Sequence, residues 1–380
     1  MQGNVLGQNG GYNGLNIFAQ LNEPNKKDGI WIKTNEQYKY DNVYFINDYL
    51  SMLNRYEEVS NIPYNFYNGS AVAKESQIYI LGTSLGGLRN NNYRYDLQSN
   101  MYTKLENIPY DFYSGGTSVI VGNNIHLLSG YYSNSNEFHY KYDIQANTYT
   151  KLTDAPYDIY NCSAVAKDND IYILGGRYNY IYKYDTVNNE YIKTKENFTD
   201  DSLMGGKAVL VNNAVYLFGN GQKGYKYNIL DNTFIELERV PFDYQNDTVV
   251  GINNNIFLLG SLYKSGSAYE YGKYNYKYDT LTNTYKKLED IPYDFVEGST
   301  VAIGNDIYLL GGTSSANNVY KYKTYLEKKN IFIKNENDTL TTALNNILKI
   351  YFSEIIIYDN YESKDYPVYY GNGTEWVEII

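Results

Sequence analysis

Few side chains in this sequence could carry bond-making chemistry. Its 380 residues include two histidines, His126 and His139, and one cysteine, Cys162. A zinc centre draws three or four ligands from Cys, His and carboxylates at close spacing, and no such cluster stands in the sequence. There is no GxxxxGK[ST] loop to cradle phosphates, and Gly219-Asn220-Gly221 with Gly224 reads as a turn. Asp and Glu together number 43, yet they fall at turn positions rather than as an isolated acid–base pair. The sequence therefore predicts no catalytic set, no metal ligands and no cofactor. Recognition chemistry remains: 49 tyrosines and a few arginines, groups that stack on and hydrogen-bond to a ligand.

The elements that would position such groups are visible in Tyr140–Gly176, YKYDIQANTYTKLTDAPYDIYNCSAVAKDNDIYILGG. Four short period-2 runs of Tyr, Ile, Val and Thr are separated by Asn/Asp/Gly clusters and by Pro156, the signature of strands and tight turns. The unit recurs. Its apolar strand stands at Ile78–Leu81, Ile125–Leu128, Ile171–Leu174, Val215–Phe218, Ile256–Leu259 and Ile307–Leu310, a period of about 46 residues. An all-strand repeat of that length predicts a propeller, because a lone four-stranded sheet buries both faces only when blades stack in a ring.

The turns Asp96…Asn100…Tyr102, Asp143…Asn147…Tyr149, Asp185…Asn189…Tyr191, Asn228…Asn232…Phe234 and Asp279…Asn283…Tyr285, with the glycines ending the apolar strands, give the chain a resemblance to the kelch repeat family. The resemblance spans roughly residues 53–323 and implies an all-β, six-bladed β-propeller. Two departures are plain: the family's usual Trp is Tyr or Phe here, and a full Gly-Gly occurs only at Gly175-Gly176 and Gly311-Gly312. Kelch-type galactose oxidases hold copper through two His and two Tyr with a Cys-linked tyrosine. Here His126 replaces the Tyr79, Tyr172 and Tyr308 of sister strands, and His139 and Cys162 also stand in ordinary repeat slots, so that copper chemistry is not expected.

Residues 54–59 form an orphan outer strand, and the last repeat, Ser299–Tyr322, lacks its fourth. Closing the ring with the orphan removes two free sheet edges. Three parts follow: an N-terminal arm over 1–52, a propeller over 53–323 closed by an N-terminal strand, and a small C-terminal α+β module over 324–380. In that module a helix is expected at Thr339–Ile350. The connections after each glycine strand vary most, and the longest is Gly260–Asn275. Variable loops on one rim of a rigid ring are where such folds bind ligands, which selects Arg89, Tyr131, Tyr132, Arg177, Tyr178, Tyr263 and Tyr271 as ligand-binding candidates. Trp31 and Trp376, one in each end segment, are the candidates for attachment to a larger particle.

The ends carry a second resemblance. Tyr366-Pro367-Val368-Tyr369-Tyr370-Gly371-Asn372-Gly373-Thr374-Glu375-Trp376 is similar to the last segment of tail and fibre-like phage proteins of low-GC Gram-positive bacteria. Gly14–Phe18, Glu23-Pro24 and Gly29–Thr34 look like their opening. That implies a virion component, tail- or baseplate-associated and present in several copies, made in the host cytoplasm without a signal peptide. Its partners would be other virion proteins and a host-surface carbohydrate. A formal charge of −11 repels phosphate backbones and anionic lipid, so neither nucleic acid nor membrane insertion is expected. On this reading the chain is not an enzyme. The alternative is a carbohydrate-active propeller enzyme, mutarotase-like or glycan-processing, on fold analogy.

Overall fold

The computed structural model describes residues 56–113, 115–130, 137–176, 180–195, 205–219, 221–242, 248–265, 268–313 and 317–324, together with short strands in the two terminal segments. The chain divides into two compact units, Tyr56–Tyr322 and a unit built from both ends, Met1–Arg55 with Lys323–Ile380.

The first unit is all-β. It holds six four-stranded antiparallel sheets, five of them running inner to outer strand in chain order. In blade 3 the strands are Cys162–Lys167, Asp170–Gly175, Tyr180–Asp185 and Glu190–Lys195. The sixth sheet has Ser299–Ile303, Asp306–Leu310 and Val319–Lys323, and takes its fourth strand from Tyr56–Glu58. Tyr322 pairs with Tyr56 and Tyr320 with Glu58, and Lys321 Nζ meets Glu57 at 3.0 Å. The ring is a six-bladed β-propeller closed where the orphan strand predicted it.

The repeated turn residues each have a mechanical job. Asp143 Oδ1 accepts the backbone N–H groups of Gln145 and Ala146, and Asp96, Asp185 and Asp279 do the same in their blades. The turn then needs a left-handed residue, and Asn supplies it at low steric cost: Asn100, Asn147, Asn189, Asn232 and Asn283 have φ of 54–57°. In all five blades that Asn accepts the hydroxyl of a buried third-strand tyrosine, Tyr95, Tyr142, Tyr184, Tyr227 or Tyr278, at 2.5–3.1 Å. Asn147, Asn189 and Asn283 also accept a backbone N–H from the preceding blade's exit, Glu106, Thr153 and Glu238 respectively. The four turn aspartates and these five tyrosines are thus committed to the scaffold.

Each inner strand is the edge of its sheet, so its outward backbone groups need partners. Neighbouring blades provide them. Ser299 Oγ accepts from Ala71 N, Ser163 Oγ accepts from Ala208 N, and Ser70 Oγ meets Ser118 Oγ at 2.7 Å. Between blades, apolar clusters such as Val165, Leu174, Ile181, Val215, Leu217 and Tyr227 fill the wedges.

Both ends of the chain meet in one sheet of the second unit. Its strand order is Ile17–Ala19, Gly29–Ile32, Val368–Gly371, Trp376–Glu378, with Trp31 paired to Tyr369 and Gly371 to Trp376. Trp31 and Trp376 therefore occupy the same sheet. The helix expected at Thr339–Ile350 is corrected at its end: Ile347–Ile350 is a strand paired with Ile355–Asp359. Ile-Leu-Lys-Ile is bracketed by β-branched residues, which suit a pleated surface better than a helix. The rest of that segment lies outside the described residues.

Candidate ligand face

Antiparallel order puts two kinds of segment at one end of the ring: the loop joining each second strand to its third, and the link from each outer strand to the next inner one. In blade 1 these two segments are locked together. Gly82 ends the second strand with φ of 65°, and a Cβ there would lie 1.6 Å from the Phe112 carbonyl oxygen. Phe112 N–H donates to Arg89 O at 3.1 Å. The glycine is thus required by close approach of the neighbouring link as well as by its own backbone.

Arg89 is the sequence candidate that this arrangement positions best. Its Nη1 lies 3.3 Å from Asp111 Oδ2, and its guanidinium carbon sits 4.5 Å from the centroid of the Tyr113 ring. Tyr113 is buried, so it forms a floor on which the arginine rests. The Arg89 and Asp111 side chains are 39% and 56% exposed. An ion pair that open to solvent adds little stability. It fixes the plane and direction of the guanidinium, which is what recognition requires.

Beside it, the links enter the inner strands through a left-handed residue: Asn68, Gly115, Asn161, Gly205 and Glu297. The residue before two of them is a tyrosine. Tyr67 and Tyr160 are both half-buried at this end. Tyr67 is tied to the Arg89 loop, since its N–H donates to Thr83 Oγ1 (3.2 Å) and its carbonyl accepts from Ser84 N (2.7 Å). Tyr160 lies over Gly115, where a Cβ would come within 2.5 Å of its ring. Sequence reading looked to the second-to-third loops and missed Tyr67, Tyr113 and Tyr160 on the links. The signal was present in Phe66-Tyr67-Asn68 and Ile159-Tyr160-Asn161.

The other candidates fall out differently. Tyr131, Tyr132, Arg177 and Tyr178 lie outside the described residues. The long connection Gly260–Asn275 is corrected from a loop to a hairpin: strands Asn255–Ser265 and Ala268–Asp279 run on past the blade after a register shift between Leu259 and Ser261. Tyr263 pairs with Glu270 and Tyr271 with Leu262, so the two tyrosines are one register step apart. The return arm, Ala268-Tyr269-Glu270-Tyr271, alternates Tyr with other residues, a pattern that suits a strand.

His126 and His139 are buried between blades 2 and 3. His126 Nδ1 is 2.9 Å from His139 Nε2, and His139 Nδ1 is 2.8 Å from the Tyr191 hydroxyl. Burial pulls His126 down to about 4, with Lys141 adding to the effect, and holds His139 well below the ordinary range, with His126 adding to it. Both are neutral core groups near pH 7. Burial likewise pushes the Cys162 thiol up to about 12, which leaves it without nucleophilic thiolate. Among the described residues no three His, Cys, Asp or Glu side chains are grouped to hold a metal.

No protein-family model matches the sequence, and no curated protein does either. The fold is widely shared, with 1214 solved chains matching it. One is YjhT, at a TM-score of 0.60 and 15% identity, covering 74% of this chain and 98% of that one. At that identity the likeness shows the fold alone. It nonetheless corrects the expectation that the chain is not an enzyme. That exclusion leaned on the missing catalytic motifs and on the phage-like ends, whereas the match covers nearly all of YjhT. The architecture belongs to no one role, and catalysis is not excluded on its account.

Proposed function

We propose that the loop-bearing end of the ring binds a saccharide, and that the unit made from the two chain ends holds the ring to a larger assembly, a phage or phage-tail-like particle. One observation carries the first part: Arg89 is clamped by Asp111 on the floor of Tyr113, with Tyr160 over the same link. Planar rings stack on the C–H faces of sugars, and a fixed guanidinium donates to their hydroxyls. The remaining tyrosines that carry hydrogen bonds to the turns are occupied in the scaffold. Support for the second part is the pairing of strands from both ends in one sheet, which gives a single mounting element.

A glycan array probed with the full chain tests the reading, followed by a turnover assay on each saccharide that binds. The expected result is a defined set of bound glycans, with affinity reduced at least about tenfold by Arg89→Ala, the loss of a charged hydrogen bond being worth about 1.5–3 kcal/mol. No bound glycan, or binding indifferent to Arg89→Ala, refutes it. Turnover of a bound glycan would give the same face a catalytic role. For the mounting element, a chain lacking residues 1–50 should be absent from assembled particles while its ring stays native; particles that retain it would refute that part.

A further inference from the structure

Tyr67, Arg89, Tyr113 and Tyr160 form a series on this face. They follow one another along bonded backbone. Tyr67 is held to Thr83 and Ser84, at the start of the loop whose end carries Arg89. Arg89 lies on Tyr113, Gly115 follows two residues later, and Tyr160 covers that glycine. The inner strands of blades 1 and 2 are joined beneath this track by Ser70 and Ser118. The track therefore runs across three consecutive blades. Its order is set by the repeat: each link repeats one blade further around the ring, so platforms on successive links are displaced sideways rather than stacked.

We infer that the face takes a neutral, extended oligosaccharide rather than a monosaccharide, its successive sugars resting on Tyr67, Arg89 over Tyr113, and Tyr160. This rests on the saccharide reading above and goes beyond it in naming the class. A single sugar ring covers one platform; a chain of sugars is needed to reach all three. Neutrality follows from charge. The one cation of the track, Arg89, is paired with Asp111, and the whole chain is acidic, so a carboxylated sugar would compete with Asp111 and meet repulsion elsewhere.

The test is calorimetric titration of the full chain with cello- and chito-oligosaccharide ladders of one to six units, beside an oligogalacturonide ladder as the acidic counterpart. Affinity should climb with length in steps of roughly two- to tenfold, the scale of one aromatic contact, and then level off. Tyr160→Ala should remove one step of the length dependence, and Tyr160→Phe, which keeps the ring, should restore it. Unfolding midpoints equal to that of the parent chain would show that the alanine variant folds. A monosaccharide binding as tightly as the longest oligomer overturns the inference and leaves saccharide binding standing. Tighter binding of the acidic ladder at equal length overturns neutrality. Failure of every saccharide on the array sinks the underlying reading, and this inference with it.

Discussion

His139 of blade 2 hydrogen-bonds Tyr191 of blade 3, Nδ1 to hydroxyl at 2.8 Å, and the same slot decides how other blades are joined. Asn92 donates to Tyr149 and Asn275 to Tyr56, each reaching the next blade's outer strand. Where the slot is Ile181, the following outer strand offers Phe234 in the same apolar cluster, with no hydroxyl to satisfy. Where it is Gly224 or Val319, the next hydroxyl turns to a backbone carbonyl instead: Tyr285 to Glu238 and Tyr102 to Ser60. His139→Leu should therefore strand both the Tyr191 hydroxyl and His126 Nδ1, at a cost of about 1–3 kcal/mol for each. Adding Tyr191→Phe should recover part of it by copying the Ile181–Phe234 joint. A double-mutant cycle by urea unfolding measures the recovery; strict additivity would refute the pairing rule.

The histidine pair also sets a pH response. Both folded-state pKa values lie below that of a free imidazole, about 6.5, so from there down to about 4 the unfolded chain binds more protons than the native one. Stability from this source is complete above the upper limit and falls as the pH drops. The slope is at most about 1.4 kcal/mol per pH unit for each histidine. Below about 4 His126 protonates in the native state too, and its share of the slope ends. His126→Tyr with His139→Asn rebuilds the Tyr79–Asn92 arrangement of blade 1 and should flatten the curve between those limits. Equal slopes in parent and variant would refute it.

Asn147 separates the two demands on the turn residue. It accepts from Tyr142 and from Glu106 N while holding φ of 54°. Asn147→Gly keeps the backbone and loses both bonds; Asn147→Ala loses both and adds backbone strain. Thermal unfolding should rank parent above Gly above Ala, with the last step about 1 kcal/mol. A variant order with Ala at or above Gly would show that the hydrogen bonds alone matter.

Much of this was legible before any coordinates. Strand type and turn chemistry are local properties, so the six-fold count, the Asp-x-x-x-Asn turns and closure by Tyr56–Glu58 could all be read from spacing. His126 could be placed in the core because sister strands carry Tyr79 and Tyr172 in that slot. Pairings across the whole chain could not. Nothing near Trp31 specifies Tyr369 as its partner, because strand register is set by contacts far along the sequence. Tyr160 escaped notice for a related reason: its importance comes from Gly115, on another link, and not from its own neighbours. Gly260–Asn275 reads as a loop from its length and its place after a glycine strand, while the alternation in Tyr269-Glu270-Tyr271 is the local mark of the hairpin.

Gly82 links scaffold and face most tightly. Gly82→Ala drives a methyl group into the Phe112 carbonyl, which must move, and Arg89 is bonded to that residue. A loss above about 4 kcal/mol is expected, as for the rare severe core changes. At Gly122, where a Cβ would meet open space and only the φ of 60° is at stake, alanine should cost about 1–2 kcal/mol. Comparable losses at the two sites would show that close approach is not what Gly82 answers.

Hydrogen–deuterium exchange on the full chain, with and without a glycan taken from the array, bears most directly on where the ring meets its ligand. Protection is predicted in 66–69, 82–91, 111–116 and 159–162, with the turns 96–100, 143–147 and 185–189 at the opposite end unchanged. Protection confined to those turns, or to the outer strands, would contradict the assignment of the loop-bearing end as the binding face.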